Sequence, residues 1–413
     1  MVRKQILFLT RNGLLEPLGQ SQILAYLVPL SKEFDFHIVS FEKSDDFSDR
    51  QAVQSLRNQC QQHGIQWTPL TYRRFSRQLG ILLGFVELIG AIWRICNRDK
   101  VDCIHARSYY PAFIALLFNG LRGIPFIFDM RALWPEELVV AGRLRAGSLT
   151  YKLIKQLESR CLKRAAAVVS LTEAAATYLN KKHPANKLAN KMFVIPTCTD
   201  IERFEVIGNS ERGGNRWIIS CIGTLLSGWF KLDLLRTSVQ FILQEYPQVD
   251  FEILTRDDPQ KVQESLDPSK KWEARLQISS VPFTEMPKRL RRHKGSIFFF
   301  NADISKLGSC PTRMGELLAA GIPILANPGV GDVETIIQEH QVGVLIEDES
   351  EAAVHGACQA FIQLLQRSDI AEHCRNTAIA LFSLEGGVST YRQVYQQALS
   401  MKTSKEVHEQ EKI

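Results

Sequence analysis

Short apolar runs alternate with helix-period segments along the chain, and this alternation constrains the fold more than any other feature. QILFLT (5–10), HIVSF (37–41), VDCIHA (101–106), PFIFDM (125–130), AAVVSL (166–171) and MFVIP (192–196) each read as a buried strand. Helical stretches lie between them. One begins near Ser21 and carries Ile23, Leu24, Leu27 and Leu30, and another covers 79–95. Strands that alternate with helices make a doubly wound α/β domain with a parallel sheet. The polar, glycine-rich stretch IGNSERGGNR (207–216) then reads as a linker. After it the alternation restarts with WIISCIG (217–223), DFEILT (250–255), GSIFFF (295–300), IPILA (322–326) and VGVLI (342–346). The expected organisation is a first α/β domain over 1–206, a second over 217–387, a terminal helix over 388–400 and a flexible polar tail over 401–413.

The totals fit that division. At 413 residues the chain is too long for one ordinary core. A net charge of +6 is mild and gives no reason to expect nucleic acid, which calls for a concentrated basic face. The nine cysteines are scattered singly, with no CxxC pair, against a disulfide framework or a zinc knuckle. The expected setting is the reducing cytoplasm. The N-terminal apolar run is short for a signal peptide. ILLGFVELIGAIW (81–93) is short for a membrane span and is interrupted by Glu87.

In doubly wound sheets, ligands bind beyond the carboxyl ends of the strands, and two such domains would form a cleft. One strand-end segment is CPTRMGELLAAGIPILANPGVGDVE (310–334). Pro311 suits a first helical turn and Gly321 a helix end, so a helix is expected over 311–320. Arg313 and Glu316 then share one face, about 4.5 Å apart along the axis. A helix N-terminus attracts anions, and an arginine adds fork-shaped donors that fit phosphate oxygens. A carboxylate one turn deeper can accept two hydrogen bonds from a vicinal diol. Diphosphate at the mouth and ribose inside is a nucleotide arrangement. The plain alternative is an Arg–Glu surface pair.

Together with EPLGQSQILAYL (16–27), IFDMRALWPEE (127–137) and CIGTLLSGWFKLDLL (221–235), this segment resembles the retaining GT-B glycosyltransferases of family 4. The resemblance covers almost the whole chain. It implies two Rossmann-like domains facing across a cleft, with the terminal helix (STYRQVYQQAL, 389–399) returning to the first. It implies transfer of a sugar from a nucleoside diphosphate sugar to a saccharide or lipid-linked acceptor, without metal or other cofactor. Glu316 matches the second Glu of the family's Glu-x7-Glu pattern, which holds the donor ribose. Gly308 stands where the first would be, so the backbone of Gly308 and Ser309 is expected to take over that contact. Thr312, Gly13 and Gly223 are the other donor-side candidates. Lys231 matches the family's diphosphate lysine. Thr224 follows Gly223 where an Arg is usual, and Arg313 is expected to replace it.

In the first domain the resemblance places Asp129 at the cleft, where a carboxylate could take the proton from an acceptor hydroxyl. The alternative is that Asp129 caps the following turn. Gly19, Gln20, His105, Arg107 and Arg131 are the acceptor and cleft candidates, though His105 reads equally as structural and Lys231 as a solvated helix residue. Catalysis is assigned to Asp129, Lys231 and Arg313. Asp257-Asp258 is the nearest acidic pair to a metal-binding DxD, and it is not at a matching position. The basic, apolar segment 71–98, with Arg73, Arg74 and Arg77 ahead of its helix, is expected to reach an anionic membrane surface. A sugar-nucleotide epimerase and a non-catalytic donor-binding subunit remain alternatives. A dinucleotide oxidoreductase is disfavoured, because no GxGxxG follows either first strand.

Overall fold

A computed structural model describes residues 3–71, 77–206 and 216–410, with side chains left undescribed for 77–82 and 401–410. Most of the expected linker, and Arg73, Arg74 and the side chain of Arg77, lie outside the described residues.

The chain divides into two compact units, residues 1–195 with 384–413, and residues 196–383. In the first, β1 (Lys4–Thr10), β2 (Phe34–Glu42), β3 (Gln66–Thr71), β4 (Cys103–Arg107), β5 (Phe126–Asp129), β6 (Ala167–Ser170) and β7 (Met192–Val194) form a parallel sheet in the order β3-β2-β1-β4-β5-β6-β7. Its centre is dry. Ile6, Leu7, Leu9, Ile104, Phe126 and Ile127 are fully buried, as strands covered on both faces require. The helices used below are α1 (Arg77–Arg98), α2 (Tyr109–Arg122), α3 (Trp134–Val140) and α4 (Leu149–Arg164).

The helix after β1 starts earlier than expected, at Pro17, and passes through a π-helical turn, Gln20–Leu24, before the α-helical Ala25–Leu30. β3 is an additional strand. Its Pro69 cannot donate to a ladder, which suits a half-buried strand at the sheet edge.

In the second unit, β8 (Trp217–Ile222), β9 (Val249–Leu254), β10 (Leu276–Ser279), β11 (His293–Phe298), β12 (Ile324–Ala326) and β13 (Gly343–Leu345) are ordered β10-β9-β8-β11-β12-β13, again all parallel. Here α5 (Leu232–Glu245), α6 (Thr312–Ala319) and α7 (Ile370–Phe382) are used below. β11 begins earlier than its apolar run because two polar residues are buried with partners. His293 lies 2.5 Å from Glu252, and Lys294 stacks over Trp217.

The two units divide at Ile195–Pro196, ahead of the polar stretch. Pro196–Val206 therefore belong with the second unit. Thr199 N–H donates to Phe382 at 2.8 Å, and Arg375 donates to the carbonyls of Ile201, Phe204 and Ala319. The last helix, α8 (Leu384–Gln410), is longer in both directions than the expected 388–400 and occupies most of the expected tail.

Candidate functional site

The order of the second sheet reverses between β8 and β11, so the loops after these strands flank its switch point, where doubly wound sheets hold ligands. The two loops are tied together. Lys231 N–H donates to Phe299 at 3.0 Å, and Asn301 N–H donates to Trp229 at 2.9 Å. Asn327, after β12, exchanges hydrogen bonds with both backbone groups of Phe300. Gly223 follows β8 against the ring of Phe230. A side-chain carbon there would come within 2.8 Å of the ring, so the position needs glycine for packing.

Helix α6 leaves this edge. Pro311 lies just before its first residue, and Gly321 follows its end with φ +73°, a left-handed turn that glycine accepts freely. Gly315 brings α6 against Phe382 of α7. That close packing fixes the direction in which the first turns of α6 point. Arg313 pairs with Glu316 through Nη1 and Oε2, as their spacing requires. Glu316 is only 3% exposed, whereas the Arg313 side chain keeps 31%. The Arg–Glu pair of the plain reading is therefore present, with its cation reachable and its carboxylate recessed. Gly308 is buried, while Ser309 and Thr312 are part-exposed beside it. Lys231 lies immediately before α5, and its ammonium pairs with the exposed Glu349.

The acidic pair after β9 has structural duties. Asp257 accepts from Leu226 N–H at 3.0 Å and from the Thr255 hydroxyl at 2.9 Å, and Asp258 caps the following helix at Gln260.

The first unit corrects the assignment of Asp129. It ends β5 as expected, but it is 0% exposed. Tyr391 Oη on α8 donates to its Oδ2 at 2.9 Å, with His105 Nε2 at 3.4 Å and Arg107 Nη1 at 3.5 Å. Arg131 stands 3.8 Å from Oδ1. Burial pushes the carboxyl pKa up, but Arg131, His105 and Arg107 outweigh it and hold the pKa at about 2. A closed carboxylate whose pKa is lowered further from neutrality is unsuited to general base catalysis near neutral pH. His105 belongs to the same cluster: its Nδ1 meets Tyr395 Oη at 2.7 Å, and burial lowers its pKa, favouring the neutral ring. Burial, with Arg131 beside it, brings Arg107 down to about 10.

The loop after β1 is braced rather than open. Buried Glu42 accepts from Leu14 N–H at 2.9 Å and Leu15 N–H at 3.2 Å. A side chain at Gly13 would meet that carboxylate at 2.5 Å, and one at Gly19 would lie 2.1 Å from the Gly13 carbonyl oxygen. Gln20 donates to Leu14 O at 2.7 Å. Gly13, Gly19 and Gln20 thus build the loop, and Glu42 satisfies amides that a ligand would otherwise meet.

Lys306, Ser108 and Gln22 escaped the sequence reading, as did the strained backbone of Arg131, itself a cleft candidate. Lys306 is buried after β11 with its ammonium 3.0 Å from the Trp229 ring centroid, although nothing in SKLGSC marks it. Ser108 and Arg131 have φ +75° and +59°, strained for side-chain residues, and both follow carboxyl ends of strands. Arg131 donates to Gln22, inside the π-helical turn, at 3.3 Å. A turn of that kind marks a departure from regular helix that often accompanies function.

Residues 31–196 match the model of a glycosyl transferase 4-like domain. The chain has the GT-B fold, and its first unit is similar to glycosyl transferase 4-like domains. HepE of Anabaena, solved with UDP, superposes with a TM-score of 0.69 at 15% identity, covering 95% of this chain and 99% of HepE. Sucrose-phosphate synthase of Thermosynechococcus elongatus gives 0.68 at 12%, covering 97% and 100%. The lipopolysaccharide outer core galactosyltransferase WaaB gives 0.65 at 12%, covering 96% and 99%. No curated protein sequence matches the chain.

Proposed function

We propose that the protein is a retaining glycosyltransferase that moves a hexosyl group from a nucleoside diphosphate sugar to an acceptor hydroxyl in cell-surface polysaccharide or glycolipid synthesis. The observation that carries this reading is the Arg313–Glu316 pair on the opening turns of α6, beside the switch point of the second sheet. HepE, which shares the fold, was solved with UDP. In the proposed complex Arg313 turns from Glu316 to the donor diphosphate, and the freed carboxylate accepts the ribose hydroxyls. Lys231 leaves the exposed Glu349 for the same diphosphate. Gly308, Ser309, Thr312 and Gly223 contribute backbone or small side chains around the donor, and Gly13 shapes the loop after β1 in the first unit.

The anomeric carbon–oxygen bond to the diphosphate breaks, and the acceptor oxygen bonds to the same face of the sugar. Asp129 is sealed, so the acceptor proton passes to the departing diphosphate oxygen. Negative charge grows on that group, and protein cations are placed to stabilise it without metal. Arg131, Arg107, His105, Gly19 and Gln20 shape the acceptor side of the first unit. The acceptor is a saccharide or a lipid-linked saccharide. No helix among the described residues is long and apolar enough to cross a membrane. We place the enzyme in the cytoplasm, at the inner face of the membrane, with α1 contributing exposed Val86 and Trp93 to a peripheral contact.

Purified protein incubated with a panel of nucleotide sugars and acceptors tests the reading. Wild type should consume one donor only when acceptor is present, and Arg313→Ala should lower turnover about 100-fold, the cost of one charge-stabilising donor. Full turnover in both Arg313→Ala and Glu316→Ala would remove the site. Conversion of donor without acceptor would indicate an epimerase, and nucleotide binding without any turnover would indicate a donor-binding subunit.

A further inference from the structure

The turn between α3 and α4 has an unusual surface. Val140, at the end of α3, is 57% exposed, and Leu149 and Leu153, on the opening turns of α4, are 85% and 55% exposed. Leu149 and Leu153 are four residues apart and so share a helix face. Between these apolar residues lie Arg143, Arg145 and Lys152, all exposed. From Leu138 to Leu157 the sequence contains no Asp or Glu. Lys155, the fourth cation of the stretch, turns inward to Glu136 and Glu158. Arg143, Arg145 and Lys152 have no carboxylate partner among the described residues.

The turn is ordered by its own backbone. Arg143 and Leu144 N–H both donate to Leu138 O, at 2.9 and 3.0 Å, and Ser148 caps α4 by accepting from Tyr151 N–H at 3.2 Å. Gly142 and Gly147 take the left-handed backbone that the bends need, at φ +64° and +73°. Helix α3 follows the carboxyl end of β5 and α4 leads to the amino end of β6, so the turn projects from the carboxyl edge of the first sheet. Single exposed leucines are common. Three large apolar side chains on one preformed turn, set among three exposed cations with no carboxylate partner among the described residues and in a stretch without Asp or Glu, instead have the composition of an interfacial membrane contact. The cations are dispersed rather than gathered around a pocket, which suits a sheet of headgroups better than a single acidic ligand.

We propose that the α3–α4 turn docks on an anionic bilayer, with Val140, Leu149 and Leu153 entering the interface and Arg143, Arg145 and Lys152 meeting lipid phosphates. The contact is separate from α1 and does not depend on which sugar is transferred. Co-sedimentation of the full chain with phosphatidylglycerol-containing vesicles, against pure phosphatidylcholine, tests it. Wild type should sediment with the anionic vesicles only. Arg143→Glu with Arg145→Glu, and separately Leu149→Ser with Leu153→Ser, should each lower partitioning at least about tenfold, while melting temperature and donor binding stay as in wild type. Wild type indifferent to lipid charge, or either double variant sedimenting like wild type, would overturn the proposal. Loss only in Trp93→Ser would assign docking to α1 and also overturn it. So would a dimer in light scattering that dissolves in the double variants, because the face would then pair two copies of the chain.

Discussion

Glu316 and Asp129 are both buried carboxylates beside arginines, yet their surroundings give them different chemistry. Glu316 pairs with an arginine whose side chain is still partly in solvent, so the pair can open for a ligand. Asp129 is enclosed by Arg107, His105 and Tyr391, with Arg131 close by, and has no exposed surface. Arg313→Lys should recover little of the turnover lost in Arg313→Ala, because a point charge lacks the planar fork that fits phosphate oxygens; steady-state kinetics with the preferred donor would show it. Asp129 makes a stability prediction with a definite sign. Its pKa falls on folding from 3.8 to about 2, so the ionised form stabilises the folded state by about 2 kcal/mol. That contribution is complete above about pH 5 and is lost as pH falls toward 2. Melting temperatures should place wild type well above Asp129→Asn at pH 7, and the gap should narrow below about pH 4. The position of Asp129 at a strand end was legible in IFDM, but its burial was not, because the tyrosine that covers it lies 262 residues away in sequence.

At the scale of elements, the central strands were legible because they are continuous apolar runs buried on both faces. Both strands that the pattern missed, β3 and β10, are sheet edges. QWTPLT carries a proline and LQIS has only four residues, so neither offers a long apolar run. The π-helical turn at Gln20–Leu24 was also invisible, because backbone register rather than composition defines it. The loop before it depends on close packing. Gly19→Ala would press a methyl against the Gly13 carbonyl and should destabilise the protein by about 1–3 kcal/mol, read as a lower denaturant midpoint at unchanged slope. The terminal helix is fastened by specific polar contacts as well as by apolar burial. Tyr391→Phe leaves Asp129 short of a donor and should cost about 1–3 kcal/mol in the same measurement.

For the whole molecule, alternating strands and helices were enough to give two doubly wound units, but the glycine-rich stretch misled the boundary. Polar composition marks where chain is solvated, whereas the division is set by contacts such as Thr199 to Phe382, which sequence spacing does not display. The GT-B fold rests on agreement over nearly the full length with structures that share few identical residues. If protein cations carry the leaving-group charge, exhaustive dialysis against EDTA should leave turnover unchanged. The most direct test of the account is calorimetric titration of UDP and other nucleoside diphosphates into wild type and Glu316→Gln. Micromolar-range binding to wild type that weakens at least about tenfold in the variant, with melting temperature preserved, is the expected result, since a carboxylate hydrogen-bonded to ribose contributes about 1.5–3 kcal/mol. Equal affinity in the two proteins would show that the nucleotide is held elsewhere.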